Sequence, residues 1–255
     1  MLLLLPPSEG KTPATTGSTL NLKKLPFPEL TPQREQVIDS LIALSAKHPK
    51  KAAEVLELGP TQQSLLEINK QIRTAHCAPA MHIYTGVLFD HFDYPSLTKK
   101  AQERADQSTL IASALFGLLS PDSLVPAYRL SGSTVIPKLG PLPTLWKPSL
   151  VPVLDSYADQ LIIDMRSGTY TKLAPLPRTE NCIELKVMTM VNGVRKSVTH
   201  FNKATKGDIA RAAFTSSAKM PTSIDQLEKH FRSLGFDASL ESNKRGVAEL
   251  IVLTD

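Results

Sequence analysis

The chain has 255 residues, 42% of them hydrophobic and 21% charged, with 29 Lys and Arg against 24 Asp and Glu for a formal charge of +5. That mix excludes a largely disordered chain, and the longest apolar runs, Met1 to Leu5 and Leu110 to Leu119, fall well short of the roughly 18–20 residues of a membrane span. Two cysteines, Cys77 and Cys182, lie far apart with no C-x-x-C pair, so neither a disulfide framework nor a zinc knuckle is written here.

Leu2 to Leu5 is a continuous apolar run ending in Pro6-Pro7, the pattern of a strand buried on both faces that delivers a loop at its C-terminal end. No basic region precedes it, so it reads as a first strand and not as a secretory leader; the expectation is a cytoplasmic, monomeric protein with reduced thiols. Thr12 to Leu30 lacks periodicity and reads as surface chain. Thr31-Pro32 opens a helix carrying Val37, Ile38, Leu41, Ile42 and Leu44. A short helix over Ala52 to Leu58, a Gly59-Pro60 break and a helix restarting at Thr61 make a helical hairpin, a motif used for packing and sometimes for holding a DNA backbone. Pro60 lacks one of the amides such a grip uses. His76, Cys77, His82 and His91 follow without a recognisable ligand spacing, so no metal or other cofactor is expected.

Leu97 to Asp106 is a polar helix, and Leu110 to Leu119 a buried strand entering a turn at Gly117. Seven prolines between Pro121 and Pro152 argue against extended regular structure there and leave a mobile linker or an ordered wrapping loop that presents Arg129 and Ser131. Leu161 to Asp164 is a third buried strand. Ile183 to Val191 and Val194 to Phe201 flank Asn192-Gly193, the dipeptide of a two-residue hairpin turn, and a helix is expected from about Asp208. Ser223 and Gln226 frame a capping box, the helix behind it stops at Gly235, and Phe236 to Leu240 with Val247 to Leu253 form a last hairpin around Asn243 to Gly246. Mixed strands and helices without strict alternation, and no convincing linker, predict one α+β domain over residues 1–255 with a mixed sheet.

The charge is unevenly placed. Lys186 to Lys219 holds seven basic residues and one acid, while the remainder of the chain is close to neutral. Four segments combine a cation with hydroxyls or glycine, most of them behind a buried strand: Ser8-Glu9-Gly10-Lys11-Thr12, Arg129-Leu130-Ser131-Gly132-Ser133, Arg166-Ser167-Gly168, and Asn202-Lys203-Ala204-Thr205-Lys206-Gly207. If they converged, Lys11, Arg129, Arg166, Lys203 and Lys206 would line a cationic cleft, with Thr12, Ser131 and Asn202 completing a phosphate cradle. Gly10-Lys11-Thr12 is no Walker A loop, since Leu5 stands where the first glycine belongs. No G-x-S-x-G nucleophile elbow occurs. His200 and Glu9 are the proton-transfer candidates, with an ordinary partly buried histidine and a structural ion pair to Lys11 or Arg129 as their alternatives.

These segments, with Tyr84-Thr85-Gly86, Ala114-Leu115-Phe116-Gly117-Leu118-Leu119, Pro-Ala-Tyr-Arg-Leu-Ser-Gly-Ser, Ile163-Asp164-Met165-Arg166-Ser167 and His-Phe-Asn-Lys-Ala-Thr-Lys-Gly, resemble the YaaA family of bacterial proteins along essentially the whole chain. The resemblance implies a cytoplasmic peroxide-stress protein that limits iron-driven oxidative damage and binds DNA. It also implies a compact domain with a positively charged cleft and a helix-hairpin-helix element, here over Ala52 to Ile72. Lys11, Arg129, Lys203 and Lys206 match its motif positions, and Lys11 and Thr12 carry over better than Glu9. Two functions stay open: duplex DNA held by its backbone without reading of sequence, and an enzyme acting on a phosphorylated or nucleotide-like small molecule. A scaffold or iron-handling role is a third.

Overall fold

A computed structural model describes residues 1–196, 199–242 and 248–254, with the backbone only at 199–201. In chain order the elements are β1 (Leu2–Leu5), α1 (Thr31–Lys47), α2 (Pro49–Val55), α3 (Leu65–Lys70), β2 (Ala78–Pro79), α4 (Ala80–Ile83), α5 (Val87–Phe92), α6 (Lys99–Ser108), β3 (Thr109–Ser113), β4 (Gly117–Leu119) and β5 (Leu124–Val125). They continue with β6 (Val135–Ile136), β7 (Gly140–Pro141), α7 (Leu142–Asp155), β8 (Ile162–Asp164), α8 (Gly168–Thr171), β9 (Cys182–Val191), β10 (Val194–Lys196), α9 (Thr199–Thr215), α10 (Leu227–Ser233), β11 (Asp237–Ser242) and β12 (Ala248–Thr254).

The α+β body is built on one mixed sheet of order β11-β12-β9-β8-β1-β3-β4, with β10 paired to the end of β9. Its five central strands, β12, β9, β8, β1 and β3, run parallel, and β4 and β11 add antiparallel edges. Leu3, Leu4 and Leu5 are fully buried, each worth about 1.5–3 kcal/mol relative to an exposed position. From β1 the chain builds toward β3, then returns to place β8 on the other side of β1. The connections leaving β1 and β8 therefore diverge, which opens a crevice at the C-terminal ends of these two strands.

Several sequence expectations need correction. The proline-rich stretch contains a regular helix: α7 spans 14 residues and has Pro148 and Pro152 inside it. Trp146 anchors it, fully buried and donating from Nε1 to Ala114 O at 2.9 Å, and this packing outweighs the hydrogen bonds that the prolines remove. Leu110 to Leu119 is two strands, since the chain reverses at 114–116 and Gly117 (φ 78°) begins β4 against the Trp146 ring. The hairpin turn is as expected, with Asn192 and Gly193 at φ 52° and 74°, but β10 ends at Lys196 and α9 begins at Thr199, not near Asp208. The reason is a helical stripe of buried residues, Thr205, Lys206, Ile209, Ala210, Ala213 and Phe214, which extends the helix N-terminally through the Asn202 to Gly207 segment. The first short helix runs Pro49–Val55 instead of Ala52 to Leu58. Ser223 precedes a 3-10 turn and makes no side-chain cap, so the capping box is not formed. The turn around Asn243 to Gly246 lies outside the described residues.

Gly207 is where α9 meets α5. A Cβ there would strike Leu88 O and lie 2.6 Å from His91 Cβ and 2.9 Å from Phe92 N, so only glycine permits this backbone contact.

Candidate functional site

The crevice is a cleft of about 920 Å³ lined by the loop after β1 (Pro6–Gly10), the start of α5, Ser131, the loop after β8 through α8, part of β9, and one face of α9. Of the residues singled out in the sequence, Glu9, Ser131, Arg166, Asn202, Lys203 and Lys206 meet here. Lys11, Thr12 and Arg129 are not on the lining. The side chain of His200 lies outside the described residues. A second hollow of similar volume, lined by 18–26, Arg73 and 120–124, has only exposed cations, and its Arg73 is engaged by Glu35 and Asp39.

The β1 loop is sewn onto the segment before α5. Thr12 N donates to Ile83 O at 2.9 Å, and Thr85 N reaches both Gly10 O (3.2 Å) and Ser8 Oγ (3.1 Å). This explains the Tyr84-Thr85-Gly86 motif: Tyr84 pairs with Lys11 as an isolated bridge, Thr85 ties the loop, and Gly86 (φ 100°) turns the chain into α5. Lys11 consequently points inward. Lys11 as a whole is half-buried, and its ammonium donates to Ser8 O at 2.8 Å and sits 4.1 Å from the Tyr128 ring and 5.2 Å from the Tyr84 ring. Burial lowers its pKa to about 7. Behind it, the Tyr84 and Tyr128 hydroxyls (2.9 Å) and Ser113 Oγ (2.8 Å) form a buried chain.

At the floor, Arg166 grips Asp164 with two side-chain bonds, Nε to Oδ1 at 2.9 Å and Nη2 to Oδ2 at 2.7 Å, both side chains being 2% exposed. Lys206 donates to Met165 O at 2.9 Å. Burial is the main cause lowering its pKa to about 8, with Lys186 acting in the same direction and Asp164 and Glu184 opposing. Lys186 in turn meets Glu184 at 3.0 Å and Glu249 at 3.7 Å.

Arg129 stands at the rim, its Nη1 paired with Glu9 Oε2 although without hydrogen-bond alignment. Tyr170, its phenol pushed up to about 12 by burial, accepts from Gly132 N at 3.3 Å and reaches Glu9 Oε1 at 3.5 Å. The backbone of Arg129 is held by Asn69 of α3, a buried asparagine that sequence reading did not single out. Through Asn69, α3 thus supports the rim of the site, and in the segment between α2 and α3 the Gly59 amide is taken by Gln62 Oε1 at 3.1 Å.

The strongly cationic cleft expected from the sequence is moderated by pairing. Among the described lining residues four cations, Arg166, Lys186, Lys203 and Lys206, face three carboxylates, Glu9, Asp164 and Glu184. Lys203 is exposed on the open side. Among the described residues, no three His, Cys, Asp or Glu side chains gather as a metal site, and no helix is long and apolar enough to cross a membrane.

Residues 1–241 match the family model described as peroxide stress protein YaaA. A UPF0246 protein of Streptomyces coelicolor is 37% identical over 248 residues, covering 96% of this chain and 95% of that one. A UPF0246 protein of Corynebacterium efficiens is 37% identical over 257 residues, covering 99% and 100%, and one of Corynebacterium glutamicum 39% over 230 residues, covering 88% and 89%. The chain belongs to the YaaA peroxide stress protein family.

Proposed function

We propose that this family member acts in the cytoplasm, as a monomer, by holding the phosphate backbone of duplex DNA along the cleft without reading bases. The observation carrying this is that three separate segments, the Arg166 loop, the Ser131 loop and the Lys203–Lys206 face of α9, bring cations and hydroxyls to one crevice, with Arg129 at its rim. Phosphate contacts of this kind position a protein on nucleic acid without conveying sequence. Contacts from Lys203 and Lys206 to two phosphates give a log K against log salt slope of about −1.8, at roughly −0.9 per phosphate, with Arg129 held back by Glu9. Fluorescence anisotropy with an unrelated pair of duplexes in a salt series tests this. The expected result is that slope, equal for both sequences and shallower by about 0.9 in Lys203→Ala; a flat response would overturn the reading.

A second reading is favoured by the cleft's volume. About 920 Å³ falls within the roughly 300–1,000 Å³ of small-ligand pockets, and buried Asp164, Arg166 and Lys206 are the furnishings of an enzyme acting on a phosphorylated or nucleotide-like molecule. A nucleotide that competes with duplex at micromolar concentration would favour it.

A further inference from the structure

If Lys206 only supplied charge to a phosphate site, arginine would serve better, because a guanidinium keeps its charge when buried and offers more donors. The amine is instead held in conditions that keep it partly neutral. Lys206 is 8% exposed on the cleft lining, and its Nζ donates to the carbonyl oxygen of Met165. Asp164, the adjacent carboxylate, has both oxygens engaged by Arg166. Lys186, on β9, adds a second cation to the same lining. With a pKa of about 8, roughly a tenth of the amine is unprotonated at pH 7. Desolvation beside another cation is how lysines are made nucleophilic toward carbonyl carbon.

We infer that Lys206 forms a Schiff base with an aldehyde carried on a phosphorylated sugar bound in the cleft. This rests on the cleft being a phosphate site, and it adds the class of ligand. Lys203, Ser131, Ser167 and Thr169, which share the lining with Lys206, hold the phosphate and sugar hydroxyls. The Nζ lone pair attacks the carbonyl carbon, and a C–N bond forms as the C=O π pair moves to oxygen. One amine proton passes through water to that oxygen, giving a carbinolamine. The hydroxyl then leaves with the second amine proton as water, leaving an imine. One water is released and no oxidant or reductant is consumed. Two sources present this chemistry: the open-chain sugar left in DNA where a base has been lost, flanked by phosphates, and a free aldose phosphate.

The test is reductive trapping of the full chain. The protein is incubated with sodium cyanoborohydride and either a duplex containing one abasic site or 2-deoxyribose 5-phosphate, and the product is measured by intact mass and mapped by tryptic digestion. The expected result is a covalent adduct on the peptide bearing Lys206, reduced at least tenfold in Lys206→Arg, from one or both ligands; the ligand that reacts identifies the source. Mapping the unaltered protein keeps the test decisive even if Lys206→Arg folds poorly. A duplex with a tetrahydrofuran site, which keeps the phosphates and lacks the aldehyde, reports noncovalent binding separately. Binding of that duplex with no trapped adduct, or an adduct mapping to another lysine, overturns the role of Lys206 and leaves phosphate binding standing. Failure of that duplex and of 2-deoxyribose 5-phosphate to bind overturns the phosphate site itself.

Discussion

Asn69 holds Arg129 by both of its backbone polar groups, its Nδ2 donating to Arg129 O at 2.9 Å and its Oδ1 accepting from Arg129 N at 2.8 Å. Because the contact spans 60 positions of sequence, it links α3 to the cleft rim. Asn69→Ala leaves two backbone groups without these partners, each costing about 1–3 kcal/mol when buried. Urea unfolding should therefore show a loss of about 2–6 kcal/mol. A loss below about 0.5 kcal/mol, the scale of ordinary surface substitutions, would mean that this clamp does not hold the rim.

The Asp164–Arg166 pair is almost fully buried, so breaking one side strands the other. Arg166→Met is expected to cost about 3–5 kcal/mol, whereas Asp164→Leu together with Arg166→Met should recover much of it. A double variant no more stable than the single one would show that the pair's worth lies in something besides mutual neutralisation.

Lys11 gives a pH signature. Its pKa is about 7 folded, against an ordinary 10.5, so between these values the unfolded chain binds more protons and stability gains as pH rises. The groups facing it stay neutral over this range, since burial raises the Tyr84 phenol to about 12 and lifts that of Tyr128 well above its ordinary value. Relative to Lys11→Met, the native protein should grow more stable from pH 7 to 10, by at most about 1.4 kcal/mol per unit. Equal pH dependence of the two proteins in chemical denaturation would contradict an enclosed amine.

Neither cysteine is built as a peroxide sensor. Cys77 and Cys182 are 4% and 6% exposed, and burial raises both thiols, Cys77 to about 11. The reactive thiolate is therefore scarce at neutral pH. Native protein treated with hydrogen peroxide should take up no dimedone at either site by mass spectrometry; labelling at either would place peroxide sensing in this chain directly.

Glu9 occupies Arg129 at the rim. Glu9→Gln should free that guanidinium for a phosphate and steepen the salt slope of duplex binding by about 0.9. An unchanged slope would mean that Arg129 meets no phosphate even when Glu9 releases it.

What could be read from sequence followed the range of the signal. Four consecutive leucines at Leu2–Leu5 and the Asn192-Gly193 dipeptide are local instructions, and each element formed where written. The start of α9 was misplaced because Val194 to Phe201 has the composition of a strand, while the buried stripe from Thr205 to Phe214 that recruits the segment into a helix depends on α5 and β9 as packing partners. The α7 helix was hidden by its prolines, since its stability comes from Trp146 against the β3–β4 turn. The site residues were nameable one by one, and of the two partners offered for Glu9 the structure takes Arg129 over Lys11. That Lys11 instead turns under Tyr84 and Tyr128 depends on contacts between segments distant in the chain, which no local pattern encodes.

The touching of α9 and α5 at Gly207 makes the aperture of the cleft a backbone dimension. Elsewhere a wall built on side chains can breathe by rotamer changes, but here one helix rests directly on the main chain of another, and both carry lining residues, Lys203 and Lys206 on one side and Leu88 and Phe89 on the other. A single methyl at position 207 would act as a wedge, moving the cations of α9 outward together and altering the reach between opposite walls without replacing any residue of the lining.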